Sequence, residues 1–273
     1  MTESYGAIKG ADFDTSDALS TFSMSLEGRD GAGKTHFALM TCPTPIVHVN
    51  FGDRDATSFL YDMEKERRDK VTLYSFQPKE IAGWTRKECS DSLKGLAEIA
   101  NKHLKDGNLK GGTFILDSGS SWWEAIQEVK VAPKEEERLA SGDKKMGGLI
   151  YQEGNLLVRG TIGWIKRQGA FTILTHTMKQ RWDAQGPIPG VFDPQLNTRV
   201  PYLVEIRLSL RMDCTNCGSP DCSAKGHQGR IQVGRFLKGA KIDFVGLELK
   251  PPTFEAVYAM QVGRKFPKEE ALR

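Results

Sequence analysis

The sequence lacks a long apolar run and an excess of either charge. No uninterrupted apolar segment among its 273 residues approaches the roughly 18 residues of a membrane span. Lysine and arginine number 38 and aspartate and glutamate 35, so the net charge is only +3. Any nucleic-acid surface must therefore be a local patch. Residues 1–20 are polar, without the basic start and apolar block of a signal peptide, and are predicted to form a flexible arm.

Cysteine is also scarce, with five residues in the chain. Cys42 and Cys89 are isolated, whereas Cys214, Cys217 and Cys222 lie close together. A disulfide framework spreads its cysteines more widely, so this spacing favours a reducing, cytoplasmic location.

The apolar segments indicate an α/β fold. Short apolar runs alternate with helical patterns along the first two thirds of the chain, which predicts a mostly parallel sheet flanked by helices. Three later β-type runs, residues 203–212, 230–237 and 254–260, predict an antiparallel C-terminal extension, with a separate small β domain as the alternative. The charged residues 132–148 and the proline-containing residues 178–201 are predicted to be loops.

Residues 28–35 (GRDGAGKT) match the phosphate-loop pattern G-x-x-x-x-G-K-[ST] at every fixed position. Glycines let the backbone wrap an anion, and the helix that follows directs its positive end at phosphate. Lys34 is expected to neutralise phosphate charge and Thr35 to bind Mg²⁺, which implies ATP as ligand; the alternative is a chance match in a glycine-rich turn. The predicted nucleotide-binding residues are Gly28, Arg29, Asp30, Gly31, Ala32, Gly33, Lys34 and Thr35.

Asp117 ends a second apolar strand, residues 113–117. Ligands of open parallel sheets lie at the carboxyl ends of the strands, so Asp117 is predicted to join Thr35 in holding Mg²⁺. The alternative is a residue that only caps the next helix, with Ser118 behind it.

Two further catalytic roles have candidate residues. Asp53 follows the predicted strand 46–50 and is the candidate to polarise the attacking water, with Glu124 as a second choice. His176 closes the strand 170–175, where a polar side chain can sense the γ-phosphate. The alternatives are a turn residue for Asp53 and a satisfied polar residue for His176.

The order of these motifs resembles the phage nucleotide-binding AAA-type proteins of the RecA-like class, which include phage recombination ATPases that help anneal single-stranded DNA. The resemblance covers about residues 20–210 and rests on the phosphate loop, the Walker B-like residues 114–118 and the strand ending in Thr175 and His176. It implies a RecA-like ATPase domain over residues 21–273, acting on single-stranded DNA in recombination or replication, in the host cytoplasm if phage-encoded. Asp53 in place of a glutamate departs from the pattern, and a homo-oligomer stays open.

The clustered cysteines extend to Cys214-x2-Cys217-x4-Cys222-x4-His227. Three thiolates and one imidazole form a closed tetrahedral shell, which suits structural Zn²⁺. The sequence predicts a zinc-knuckle insert over residues 213–229, at the tip of a hairpin. The alternatives are a metal-free loop or a disulfide, and a knuckle can contact single-stranded nucleic acid or act only as a staple.

The segment after His176 contains the candidate nucleic-acid contacts Lys179, Arg181, Trp182 and Arg199. Basic side chains beside an indole can bind phosphate and stack a base. Each charge can instead be a solvated surface residue, and Arg181 or Arg199 can be an arginine finger across a subunit interface. Two rival functions remain: a nucleotide-gated adaptor that binds protein, and a small-molecule kinase.

Overall fold

The structure is a computed structural model of the chain. It describes residues 21–52, 56–77, 83–142, 148–183, 186–220, 222–223, 229–239 and 242–263. Four predictions lie wholly or partly outside these residues: the arm at residues 1–20, the water-polarising role of Asp53, residues 143–147 of the predicted loop, and His227 as a zinc ligand.

An eight-stranded sheet organises the described residues, in the order β10-β9-β8-β1-β5-β4-β2-β3. Neighbouring strands from β3 to β8 run parallel, whereas β9 and β10 are antiparallel. A separate antiparallel pair, β6 and β7, follows β5. The α/β class and its antiparallel extension are therefore confirmed. The strands are β1 (Ser23–Glu27), β2 (Ile46–Phe51), β3 (Val71–Phe76), β4 (Thr113–Asp117), β5 (Phe171–His176), β6 (Met178–Asp183), β7 (Gly186–Pro194), β8 (Ile206–Cys214), β9 (Arg230–Lys238) and β10 (Glu248–Leu249).

Helices cover both faces of this sheet. On one face α1 and α9 pack on the strands, and on the other face α4, α5 and α7 do so. No helix in the described ranges is long and apolar enough to cross a membrane. The helices are α1 (Lys34–Thr41), α2 (Ser58–Tyr61), α3 (Lys65–Arg68), α4 (Arg86–Leu104), α5 (Gly119–Lys130), α6 (Ala132–Ala140), α7 (Gln152–Arg167), α8 (Val200–Leu203) and α9 (Phe254–Val262).

Side-chain alternation along the central strands assigns each strand-end residue to a face. Ile115 and Ile173 pack in the core beneath α1 and α9, whereas Leu116 and Leu174 pack in the core beneath α5 and α7. Because successive side chains of a strand point to opposite faces, every second residue shares the α1 face. This alternation decides which polar residues reach the phosphate loop.

The prediction of a loop over residues 132–148 is wrong for residues 132–140, which form α6. Pro133 lies in the first turn, where its missing N–H is tolerated, and the rest are mainly good helix formers. Glu136 accepts from Arg86 Nη2 at 2.6 Å and Lys134 donates to Glu153 at 2.6 Å, which ties the helix to α4 and α7. The high charge reflects exposure and not an irregular backbone.

The prediction of a strand over residues 254–260 is also wrong, because these residues lie in α9. The Thr253 side chain caps the helix by accepting from the Ala256 backbone N–H at 3.2 Å. Phe254, Val257 and Tyr258 are buried at helical spacing. A run this apolar matches both periodicities, and the cap is the signal that separates them.

Residues 178–183 and 186–194 form the paired strands of the β6–β7 hairpin where a loop was predicted. A bulge between Gln180 and Trp182 interrupts its register, and the edge strand β7 accommodates prolines such as Pro187. The hairpin stands outside the main sheet, at the end of β5.

Candidate functional site

The phosphate loop lies between β1 and α1. Gly31 and Gly33 have φ angles of 78° and 80°, in the left-handed region that favours glycine. The Ala32 N–H bonds to the Arg29 carbonyl at 3.1 Å, and the Phe37 N–H bonds to the Gly33 carbonyl at 2.8 Å. The loop thus turns tightly into the first turn of α1, which leaves the N-terminal N–H groups of that helix at its mouth.

Lys34 reaches back over the loop. Its Nζ donates to the Gly28 carbonyl at 2.7 Å and to the Arg29 carbonyl at 3.1 Å. The Leu210 carbonyl oxygen packs closely on Gly28: a Cβ at this position would lie only 2.6 Å from it, so glycine is needed here. The ammonium group is therefore held at the mouth of the loop.

Asp117 is the centre of a half-buried polar cluster at the carboxyl ends of the strands. Its Oδ2 accepts from Thr35 Oγ1 at 2.6 Å and lies 3.2 Å from His48 Nε2. Its Oδ1 accepts from Thr175 Oγ1. Burial raises the pKa of Asp117, but the hydrogen bonds from His48, Thr175 and Thr35 outweigh it and lower the pKa to about 2. Asp117 is therefore a carboxylate at neutral pH.

The contact between Thr35 and Asp117 fits a magnesium–nucleotide site. A hydroxyl and an ionised carboxylate are the hard oxygen ligands that Mg²⁺ prefers. The capping role belongs to Ser118, whose Oγ accepts from the Ser121 N–H at 3.0 Å. The side chain of Asp117 instead faces the phosphate loop.

Four residues that the sequence analysis missed surround this site: His48, Asn50, Thr175 and Gln232. Asn50 lies opposite Asp117 in the β2–β4 register. His48 and Asn50 are polar residues at alternate positions of the buried strand IVHVNF, a signal that could have identified them. Thr175 was noted only as the residue before His176 at the end of its strand, and Gln232 has no comparable local signal.

His176 occupies a different environment from the one expected of a γ-phosphate sensor. Its side chain lies on the same face of the sheet as Leu174, beneath α5. There it packs so closely on Gly119 that a Cβ on this glycine would lie 2.8 Å from the His176 Cε1. Burial lowers its pKa to about 3, and neither ring nitrogen makes a hydrogen bond of normal geometry within the described residues. The sensor role stays a prediction, and Thr175 is the residue of β5 that contacts Asp117.

Glu124, the second candidate for polarising water, lies on α5. Its Oε1 accepts from Gln195 Nε2 at 2.8 Å, and burial raises its pKa. It lines a cleft of about 380 Å³ between α5 and the β6–β7 hairpin.

Three of the four predicted nucleic-acid residues, Lys179, Arg181 and Trp182, line this same cleft. The indole of Trp182 is 66% exposed. Arg181 is paired with Asp193, its Nε donating to Oδ2 at 2.7 Å. Trp123 of α5 contributes a second indole. The cleft thus combines aromatic surface with basic groups.

Arg199 is not in this cleft. It lines a separate groove of about 550 Å³ between α7 and α8, with Arg159, Leu156 and Tyr202. The structure therefore divides the predicted nucleic-acid residues between two surfaces.

The β6–β7 hairpin touches the phosphate loop. The Arg29 guanidinium lies over the Phe192 ring, 4.8 Å from its centroid. Such a cation–π contact is worth about 0.5–1 kcal/mol at an exposed site. It joins the cleft hairpin directly to the predicted nucleotide site.

The clustered cysteines lie at the tip of the β8–β9 hairpin. The Sγ atoms of Cys214, Cys217 and Cys222 all lie within 4.8 Å of one another. Burial raises the pKa of Cys214, but hydrogen bonds from the backbone N–H groups of Cys217 and Asn216 have the larger effect, so the pKa falls to about 6. Three converging sulfurs, one with thiolate character, suit a soft-metal site such as Zn²⁺.

No protein-family model matches the chain, and no curated protein matches it. Among solved structures, the chain is similar to an ATPase from the type III secretion system of pathogenic bacteria, with 14% identity and a TM-score of 0.46. That match covers 69% of this chain and 50% of the ATPase, so this chain spans only about half the length of the ATPase. It is also similar to a KaiC-like protein from the hyperthermophilic archaeon Pyrococcus horikoshii, with 12% identity, a TM-score of 0.44 and coverage of 85% and 86%.

Proposed function

We propose that this chain binds ATP with Mg²⁺ through its phosphate loop and hydrolyses it. The observation that carries the proposal is the 2.6 Å hydrogen bond from Thr35 to Asp117, which joins the loop to an acidic strand end 82 residues away. A glycine-rich turn that matched the pattern by chance would not be expected to place a hydroxyl against a half-buried carboxylate at the ligand-binding edge of a parallel sheet.

The residues of the loop have separable roles. Backbone N–H groups of residues 31–35 and the start of α1 would bind phosphate oxygens. Lys34 would swing from its carbonyl partners to the β- and γ-phosphates. Thr35 and Asp117 would hold Mg²⁺, which supplies neutralisation of phosphate charge when bound. His48 and Thr175 keep the Asp117 carboxylate ionised and oriented.

Asp53 is proposed to orient the attacking water. It follows β2, the strand that pairs with β4 beside Asp117. Glu124 faces the cleft and accepts a hydrogen bond from Gln195, which supports a role in that cleft over a role at the phosphates.

The polymer on which this ATPase acts is proposed to be single-stranded DNA, in recombination or replication of the phage type. Support comes from the cleft, where Lys179 can bind a phosphate and Trp182 can stack a base. The contact between Arg29 and Phe192 offers a route by which nucleotide and DNA affect each other. A homo-oligomer is part of the same proposal.

The cysteine cluster is proposed to hold one structural Zn²⁺, with His227 as fourth ligand. Its short hairpin tip has little apolar surface of its own, so the metal would supply most of its folding free energy. Elemental analysis tests this: one zinc per chain is expected, and three freely reactive thiols without zinc would contradict it.

The experiment that tests the function is a Mg²⁺-dependent ATPase assay with and without single-stranded DNA, using duplex DNA of the same sequence as control. Hydrolysis stimulated by the single strand is expected, with the stimulation reduced in Lys179→Ala. Hydrolysis that single-stranded DNA does not stimulate would contradict the proposal that the chain acts on DNA and would favour the protein-binding adaptor. Transfer of phosphate to a small molecule instead of water would favour a kinase, and absence of nucleotide binding would contradict the whole proposal.

A further inference from the structure

The β8–β9 hairpin passes beside the phosphate loop. Strand β1 ends at Glu27, which pairs with Ser209, but β8 continues to Cys214. The extra residues run along the loop, and the Leu210 carbonyl oxygen would lie 2.6 Å from a Cβ on Gly28. The hairpin is therefore one wall of the phosphate loop.

Gln232 of β9 makes the polar contacts of this wall. Its Nε2 donates to the carbonyl oxygens of Ala32 and Gly33, each at 2.9 Å. A peptide unit that turns its N–H toward an anion turns its carbonyl away from it. Gln232 binds the carbonyl oxygens of two peptide units, and this orients the N–H groups of the same units, those of Gly33 and Lys34, toward the mouth of the loop.

The fit between Gln232 and the loop is close. A Cβ on Gly33 would lie only 2.4 Å from Nε2 of Gln232, and it would also lie 4.0 Å from Sδ of Met212. Gly33 is thus required by its left-handed backbone and by the amide that packs on it. The contact leaves little room for the loop to shift.

The same hairpin carries the cysteine cluster two residues further on. Met212 pairs with Gln232 and Cys214 pairs with Arg230, so the cluster begins about 7 Å along the strands from the contact with the loop. Arg230 Nη2 donates to the Cys222 carbonyl at 2.7 Å, which joins the far side of the cluster to β9. A metal at the cluster would fix both strands just beyond Gln232.

We infer that Gln232 is a positioning residue for nucleotide binding, and that metal at Cys214, Cys217 and Cys222 anchors it against the phosphate loop. The inference rests on the proposed ATP and zinc sites and links them. Metal and nucleotide then favour the same arrangement of the hairpin, so each raises the affinity for the other by the same factor.

The first test compares Gln232→Glu with Gln232→Ala in the full chain. Glutamate keeps the size of the side chain but presents oxygens to the two carbonyls, so MgATP affinity should fall about tenfold in both variants, and at least as far in Gln232→Glu. The KM for ATP should rise while kcat changes little. Arg235→Gln, on an exposed position of β9, is the matched control and should bind MgATP as the wild type does. Wild-type affinity in Gln232→Glu would overturn the positioning role.

The second test removes zinc with a zinc-selective chelator, restores Mg²⁺, and measures MgATP affinity again. The MgATP affinity of the wild type should fall about tenfold when zinc is removed. The affinity of Gln232→Glu should not fall further, because its link between the hairpin and the loop is already broken. An equal further loss in Gln232→Glu would show a general structural effect and overturn the anchor. A purified chain without bound metal would overturn it as well.

Hydrogen exchange separates failure of this inference from failure of the proposed function. Amide exchange at residues 31–35 should accelerate in Gln232→Glu and in the zinc-free wild type, whether or not the chain binds ATP. Unchanged exchange in both samples would contradict the inference, and absent MgATP binding with accelerated exchange would contradict only the ATPase proposal.

Discussion

The Asp117 cluster and the β6–β7 cleft both contact the phosphate loop, through Thr35 and Arg29 respectively, but their side chains are held in different ways. Asp117 is half-buried and held by Thr35, His48 and Thr175 on three different elements. In the cleft, Trp182 is mostly exposed and Arg181 is paired within its own hairpin. Preorganised polar groups are suited to a fixed ion and phosphate, whereas exposed aromatic and basic groups are suited to a partner of variable shape. Removing one residue should therefore be far more damaging in the first region.

Lys34→Ala should have the largest effect. The variant loses the only loop side chain expected to neutralise β- and γ-phosphate charge, so turnover should fall about a hundredfold or more while the fold is retained. Steady-state ATPase measurements together with circular dichroism check both points. Lys179→Ala, an exposed lysine of the cleft, is the matched control and should keep DNA-independent turnover. Wild-type turnover in Lys34→Ala would remove the phosphate loop from the mechanism.

Asp117→Asn should nearly abolish Mg²⁺-dependent hydrolysis and spare much of the nucleotide binding, because an amide replaces the carboxylate ligand but leaves the loop intact. A fall of about a hundredfold in kcat is expected. Asp193→Asn removes an exposed carboxylate of the cleft and should leave kcat unchanged. If Asp53→Asn showed this behaviour and Asp117→Asn did not, the roles assigned to the two carboxylates would be exchanged.

His176→Asn should flatten the acid dependence of stability. In the unfolded chain a histidine takes up a proton as pH falls through about 6.5, whereas His176 stays neutral in the fold until its pKa of about 3. Protonation thus favours the unfolded chain, and stability is lost as pH falls through this window. The loss from this residue is about 2 kcal/mol between about pH 7 and pH 5.

Urea unfolding of His176→Asn at both pH values measures this effect as a difference in slope, independent of any uniform loss of stability. His36→Asn, which removes an exposed imidazole of α1, is the matched control. An unchanged slope in His176→Asn would show that the imidazole is not excluded from water.

Trp182→Ala should have the smallest effect, confined to DNA. Loss of one stacked base should weaken binding of single-stranded DNA about tenfold and leave DNA-independent ATP turnover unchanged. Fluorescence anisotropy with a labelled oligonucleotide measures it. Tyr61→Ala removes an aromatic side chain that is 84% exposed on α2 and should not alter the affinity. Equal affinities for Trp182→Ala and the wild type would remove the cleft from the DNA proposal.

The parts of the molecule that were predictable have strong local signals. The bounds of β4, residues 113–117, follow from a short apolar run that begins after two glycines and ends in an acid, and the αβ alternation then implies the parallel sheet. The identity of α9 was missed because its apolar residues satisfy strand and helix patterns alike.

Contacts between residues far apart in the sequence could not be predicted from local sequence patterns. Thr175 meets Asp117 only because β5 pairs with β4, and Gln232 meets Gly33 across 199 residues of chain. The separation of Arg199 from Lys179 has the same origin, since neighbours in sequence line different grooves once the hairpin has folded. Sequence patterns identify chemistry at a strand end, and the register of the sheet decides which partners it meets.

Calorimetric titration of the purified chain with ATP, in the presence and absence of Mg²⁺, tests the central claim most directly. One ATP per chain is expected, bound more tightly with Mg²⁺ in the wild type and without that gain in Asp117→Asn, because Thr35 and Asp117 are proposed to hold the ion. No heat of binding, or an equal affinity with and without Mg²⁺ in the wild type, would contradict the account.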